Sequence, residues 1–192
     1  MELNARSVFV DAANFDALEQ AVQRCGPVDS VVNCAGSLIL KPAHLTTEKE
    51  WRETLEINLT SAFSTVRAAA KAMMNTGGSI VLCSTAAARA GFANHEAIAA
   101  AKGGVIGLTL SAAATYASRN IRVNCVAPGV IRTRFQDYLT PEQVKNNLEN
   151  RIPLRREGTV DDVAEVITLL TENEFITGET IVIDGGITSR IA

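Results

Sequence analysis

The sequence predicts an α/β protein built on a doubly wound parallel sheet of about five strands, with helices on both faces. Three observations carry this. Short apolar, β-branched runs alternate with longer amphipathic ones in a repeated strand–helix order. Ile80 to Cys83 is apolar throughout, as parallel strands covered on both faces are. The long irregular stretch, about Pro128 to Leu139, lies just past the carboxyl end of a strand, where open α/β sheets bind ligands.

The elements follow in order. Ser7 to Val10 reads as a strand ending at Asp11. Asp16 and Glu19 are spaced as a capping box, and Leu18, Ala21, Val22 and Cys25 give the following helix one apolar face until Gly26-Pro27 stops it. Ser30 to Val32 form the next strand, ending in Asn33-Cys34-Ala35-Gly36. Thr47 and Glu50 box the start of a long helix reaching about Asn75, closed by Gly77-Gly78. After the Ile80–Cys83 strand comes an alanine-rich helix, about Glu96 to Ser118, and then a strand from Ile121 to Val126. Thr140 is an N-cap with Pro141 at the first helical position. Thr159 to Leu170 is a helix with Val163, Val166, Ile167 and Leu170 inward, and Thr180 to Ile183 is the last strand. Repeats, linkers and low-complexity stretches are absent, so residues 1–192 read as one domain.

Composition narrows the function classes. A net charge of −3 without like-charge blocks gives no nucleic-acid footprint. No run of eighteen apolar residues suggests a membrane span, and Met1 to Val10 does not read as a signal peptide. Cys25, Cys34, Cys83 and Cys125 form no CxxC pair and, with two histidines, offer no zinc spacing. They read as small buried thiols of a protein in a reducing cytoplasm. His44 has no companion.

Several segments, in order and at fitting distances, resemble the short-chain dehydrogenase/reductases over nearly the whole chain. Asn33-Cys34-Ala35-Gly36 is similar to the family's NNAG turn. Ile57-Asn58-Leu59 resembles the segment with the active-site asparagine. Pro128-Gly129-Val130-Ile131-Arg132-Thr133 resembles the PG-x-I-x-T segment beside the nicotinamide. Ile176-Thr177-Gly178 and Ile183-Asp184-Gly185-Gly186 match the closing ITG…VDGG. The resemblance implies a truncated Rossmann-type sheet, an NADP or NAD cofactor and a small carbonyl substrate. It assigns Asn58 and Lys102 to catalysis. It places Asp11, Asn33, Ala35, Gly36, Lys102, Pro128, Gly129, Ile131 and Thr133 around the cofactor.

Two departures qualify these expectations. No GxxxGxG turn occurs, so the family's phosphate cradle and its opening strand–helix–strand are expected to be absent, with cofactor held in an atypical mode or not at all. The family also places a tyrosine four residues before the lysine, on one helical face, where the lysine lowers the phenol pKa. Here Lys102 is preceded at that spacing by Ile98, which cannot exchange a proton. The substrate-orienting serine position holds Thr85, with Ser84 beside it. His95, three residues before Ile98, is a speculative replacement donor, since histidine titrates near neutrality.

Each residue has a plain structural alternative. Lys102 could simply solvate its head, Asn58 could satisfy backbone groups at a helix bend, and Thr85 and Ser84 could cap the strand end. His95 could be an exposed polar group at a helix start, and Gly36 could serve only a tight turn. Two functions follow: a weak oxidoreductase acting on a dicarbonyl or quinone, or a non-catalytic scaffold. Two structural expectations accompany them. With the first family strands missing, Val8 and Val10 should pair beside Val31 and Val32. The chain should form a homodimer or homotetramer through its two long helices, with Ala68, Ala112 and Ala113 outward.

Overall fold

The structure, a computed structural model, describes residues 5–189. Its sheet comprises β1 (Ser30–Asn33), β2 (Gly78–Cys83), β3 (Ile121–Pro128) and β4 (Thr180–Ile183), all parallel in the order β1-β2-β3-β4. Register is fixed by rungs such as Asn33 opposite Leu82, Leu82 opposite Cys125 and Val126 opposite Ile181.

Alternation along the strands sorts their side chains to two faces. Ile80, Leu82, Val123 and Cys125 pack under α3 (Ser61–Met73) and α4 (Glu96–Tyr116), with Met73, Ala69 and Val105 completing that core. Val81 and Val126 meet Leu170, Val163, Val166 and Ile167 of α6 (Val160–Glu172) on the opposite face. The sheet is therefore doubly wound, as the sequence predicts. Because the strand order steps in one direction throughout, the β3–α6–β4 crossover has the opposite hand to the other two.

Three expectations are corrected. Ser7 to Val10 is not a strand, so the sheet has four strands among the described residues rather than about five. Val8 and Phe9 lie exposed, Phe9 completely. The expected pairing assumed a buried β1 edge with orphaned backbone groups. That edge is open to water, with Val32 exposed, so nothing compels a new neighbour. Second, the Asp16–Glu19 box does not form. Asn14 caps α1 (Phe15–Arg24) by accepting from the Ala17 N–H at 3.0 Å. Glu19 instead binds Arg67 at 2.6 Å and Lys71 at 2.8 Å, tying α1 to α3.

Third, Ala68, Ala112 and Ala113 are buried within the chain, not presented outward. Ala112 and Ala113 belong to the core under the sheet, where alanine lets helix and strands approach closely. The large exposed apolar side chains on α3 and α4 are Phe63 and Leu110.

The other boundaries follow sequence chemistry closely. Thr47 and Glu50 form the predicted reciprocal box at α2 (Glu48–Leu55), and Thr140 caps α5 (Pro141–Asn146) with Pro141 in the first turn. The predicted single helix from Thr47 is interrupted by a π turn at Glu56–Thr60 before α3 begins. The stretch Glu96–Arg119 is long and apolar enough to cross a membrane by length and composition, with mean hydropathy 1.5. In this fold its apolarity serves the core, where Ala101, Val105 and Thr109 are buried against β3.

Candidate active site

The carboxyl ends of β1, β2 and β3 open onto a cleft of about 980 Å³. Its floor is built in three steps. At the end of β1, Asn33 accepts from the Ala35 N–H at 3.0 Å and donates to the Ser61 carbonyl at 3.1 Å and Thr65 Oγ1 at 2.6 Å. Those bonds pin the turn and bring Gly36 down onto the π turn. A Cβ on Gly36 would sit 3.0 Å from Asn58 Oδ1 and 3.4 Å from Lys102 Nζ, so only glycine fits without displacement.

Asn58 occupies the π turn, a distortion that recurs at functional sites because it re-aims one side chain. Its Oδ1 accepts from the Ser37 N–H at 3.0 Å, and its Nδ2 donates to Ser37 Oγ at 3.0 Å and the Thr54 carbonyl at 2.9 Å. Lys102, buried on α4, donates from Nζ to the Cys83 carbonyl at 2.7 Å. Burial lowers its pKa from the ordinary lysine value, opposed by the neighbouring thiols. Gly36, Asn58 and Lys102 thus converge from three separate chain segments.

Ser84 and Thr85 both line the cleft, yet their hydroxyls are engaged. Ser84 Oγ donates to the Lys102 carbonyl at 2.8 Å. Thr85 Oγ1 donates to the Pro128 carbonyl at 3.4 Å and accepts from the Ala87 N–H at 3.3 Å. Ile98 is buried at the cleft wall one turn before Lys102. His95 stands at the N-cap position of α4, where its side chain makes no capping bond, and also lines the cleft, its Nδ1 2.7 Å from the Ala93 carbonyl. A carbonyl can only accept, so Nδ1 carries the proton there and a neutral ring leaves Nε2 as an acceptor.

Pro128, Gly129, Ile131 and Thr133 form the opposite wall. A Cβ at Gly129 would approach Asp184 Cβ to 2.7 Å, which fixes glycine where the loop leaves β3. Thr133 caps the following turn by accepting from the Phe135 N–H at 3.2 Å. Asp11, Asn33 and Ala35 do not line the cleft. Asp11 is exposed before α1 and accepts from the Ala13 N–H at 2.9 Å.

Sequence reasoning missed Ser37, which holds Asn58 in place, and Phe92 and Arg151, which stack at 5.1 Å beside the cleft. It also misjudged the cysteines. Only Cys125 is buried, whereas Cys25 and Cys34 are exposed and Cys83 is half-buried. Cys34 and Cys83 both line the cleft. The neighbouring Cys83 thiol and then the Lys102 charge hold the Cys34 thiol below the ordinary range, at about 7, against the opposing effect of its burial. The proton stays on Cys83, whose pKa that contact and its deeper burial push up. The available signal was positional: each cysteine directly follows the last residue of a shared rung, Asn33 opposite Leu82.

Chemically, the cleft offers a buried cation and an oriented amide beside an apolar wall. That arrangement can hold a polar oxygen in place but has no hydroxyl donor at position 98.

Comparison with known proteins agrees with this geometry. The sequence model of the enoyl-(acyl carrier protein) reductase family matches residues 4–188. The chain is 38% identical over 188 residues to trans-4-hydroxycyclohexanecarboxylate dehydrogenase of Sinomonas cyclohexanicum, covering 95% of this chain and 70% of that one. It is 39% identical over 177 residues to the 3-oxoacyl-(acyl-carrier-protein) reductase of Thermotoga maritima, covering 90% and 71%. The solved structure of ElxO with NADP bound superposes with a TM-score of 0.88 at 30% identity, covering 94% of this chain and 77% of that one.

Proposed function

The chain belongs to the short-chain dehydrogenase/reductase superfamily, a group of oxidoreductases, and from that premise we propose that it is an NAD(P)-dependent reductase of small carbonyl compounds with an altered proton-donor position. The observation that carries this reading is the convergence of Gly36, Asn58 and Lys102 opposite the Pro128–Thr133 wall.

The nicotinamide end of a dinucleotide suits these residues. Gly36 lets the turn after β1 come down close to Asn58 and Lys102, and Lys102 and Thr133 supply polar groups to a cleft of sufficient size. When bound, the cofactor would supply the hydride. Lys102, anchored on the Cys83 carbonyl, would hold a ribose hydroxyl through its ammonium, and Asn58, fixed by Ser37 and Thr54, would hold the adjacent turn. Among the described residues none forms a glycine-rich turn, so the proposal concerns the nicotinamide half of the nucleotide. Thr85 would orient the substrate oxygen only by releasing the Pro128 carbonyl, its longest hydrogen bond.

Ile98 cannot protonate an alkoxide. A dicarbonyl or quinone fits this wall better than a simple ketone, because its reduced product is a weaker base and needs less help from an acid. A second reading, a non-catalytic scaffold, is favoured by the same Ile98 and by the engagement of Ser84 with the Lys102 carbonyl. Fluorescence titration with NADPH and NADH separates them. The oxidoreductase reading requires saturable binding that weakens in Lys102→Ala. Absence of binding by both nucleotides leaves the scaffold.

We further propose self-association through the α3 and α4 side of the molecule. Support comes from Phe63 and Leu110, large apolar side chains left in water on these helices.

A further inference from the structure

Cys34 and Cys83 both line the cleft, at the carboxyl ends of β1 and β2. The last rung joining β1 and β2 pairs Asn33 with Leu82, and each cysteine follows directly. Neighbouring strands lie about 4.7–4.9 Å apart, inside the Cα separation of about 4.4–6.8 Å that a disulfide spans. Cys34 lies beyond the last residue of β1, so no ladder bond of that strand fixes it and its Sγ has freedom to close the gap. Cys34 is exposed and Cys83 half-buried, and both line the cleft. Lys102 Nζ is anchored on the Cys83 carbonyl at 2.7 Å, which puts a cation beside the pair.

We infer that Cys34 and Cys83 form a thiol-modification site that takes low-molecular-weight disulfides, with Cys34 as the attacking sulfur and Cys83 as the resolving one. The ionised Cys34 sulfur attacks one sulfur of the small disulfide. A mixed disulfide forms on Cys34, the small S–S bond breaks, and one small thiolate leaves. Cys83 then gives its proton to that thiolate or to water and attacks Cys34 Sγ, releasing the second small thiol. Two protein thiols are oxidised by two electrons, and one small disulfide is reduced to two thiols. The new bond ties the Asn33–Gly36 turn to the end of β2, and Gly36 touches Asn58 and Lys102, so the oxidation state of the pair is transmitted to the cleft floor. This site stands independently of the oxidoreductase reading.

The probe is oxidised glutathione added to the purified full chain near neutral pH, followed by acid quenching, alkylation of remaining thiols, intact mass and peptide mapping. Wild type should lose two hydrogen atoms and yield a linked Cys34–Cys83 peptide. Cys83→Ser should stop at one glutathione on Cys34. Cys34→Ser should leave Cys83 unmodified and slow total thiol loss by at least about fivefold, because an ordinary thiol is scarcely ionised near neutral pH. Exposed Cys25 serves as an internal comparator in every sample. The inference is overturned if Cys25 acquires glutathione while wild type shows no Cys34–Cys83 link, or if Cys83 reacts as fast without Cys34 as with it. The wild-type map decides the matter even where a variant folds poorly.

Discussion

Ser84 and Lys102 are joined through the backbone of the helix: Ser84 Oγ donates to the Lys102 carbonyl at 2.8 Å, while Lys102 Nζ reaches back to the Cys83 carbonyl at 2.7 Å. The end of β2 and the middle of α4 are thereby clamped twice within two residues. The Ser84 hydroxyl is buried and acts on the scaffold.

Ser84→Ala should therefore cost stability, by about 0.5–1.5 kcal/mol for the lost hydrogen bond. Urea unfolding measures it. A substrate-orienting hydroxyl would leave the midpoint unchanged and alter only turnover, so an unshifted midpoint contradicts the clamp.

Gly36→Ala places a methyl 3.0 Å from Asn58 Oδ1. Asn58 is held by Ser37 and Thr54 through three hydrogen bonds and cannot yield without breaking one. Overpacking of this kind costs about 1–3 kcal/mol. Lower stability together with weaker NADPH fluorescence enhancement is expected. Wild-type values of both would show that the turn is loose.

How much of this was legible in the sequence depends on the range of the interaction. Capping at Thr47 and Thr140 was readable because it is decided within three or four residues. Ser7 to Val10 misled because β propensity describes fit to a neighbour, and no neighbour lies alongside. Ala68, Ala112 and Ala113 misled because helical periodicity does not say which alanine face meets the sheet. The alanine-rich α4 has small residues all round. The family resemblance singled out Asn58, Lys102, Pro128, Gly129, Ile131 and Thr133, and all of these line one cleft. The Cys34–Cys83 pair, 49 positions apart, was visible only once strand register was known.

Acid should weaken the entry to α2. Glu50 is held at about 2, well below the ordinary 4.5, chiefly by the Lys41 ammonium and then by the Thr47 N–H and hydroxyl. A carboxyl depressed by folding binds fewer protons in the folded state than in the unfolded one. Its contribution is complete above about 4.5 and is lost as pH falls towards 2. Asp162, lowered by Arg156 and Thr159, acts in the same direction at the start of α6. Thermal melts between these limits should flatten with pH in Glu50→Gln combined with Asp162→Asn. A slope identical to wild type would assign the acid sensitivity elsewhere.

Leu110, 56% exposed on α4, tests the proposed self-association. Leu110→Glu adds a charge where burial between copies would be unfavourable, and should shift sedimentation towards the monomer without lowering the melting temperature of the isolated chain. A wild type that sediments as a monomer at micromolar concentration removes the proposal.

The wall position before Lys102 offers the most direct test of the catalytic reading. Ile98 is 3% exposed and lines the cleft, four residues before Lys102 on the same helical face. Ile98→Tyr puts a phenol one turn from the Lys102 ammonium, whose positive charge favours the ionised phenolate and so lowers its pKa. General acid catalysis contributes about 10²–10⁴ in rate. A rise of at least about tenfold in NADPH-dependent reduction of a simple ketone is therefore a modest expectation. The gain should disappear in Ile98→Tyr with Lys102→Ala, because the phenol then loses the charge that tunes it. Ile98→Ala should change stability through a cavity and leave proton transfer as it was. Nucleotide affinity and a thermal melt of each variant keep binding and folding separate from chemistry. If binding and folding are intact and the tyrosine brings no gain, or the gain survives without Lys102, this face of α4 is not poised for proton transfer. The scaffold reading then takes precedence.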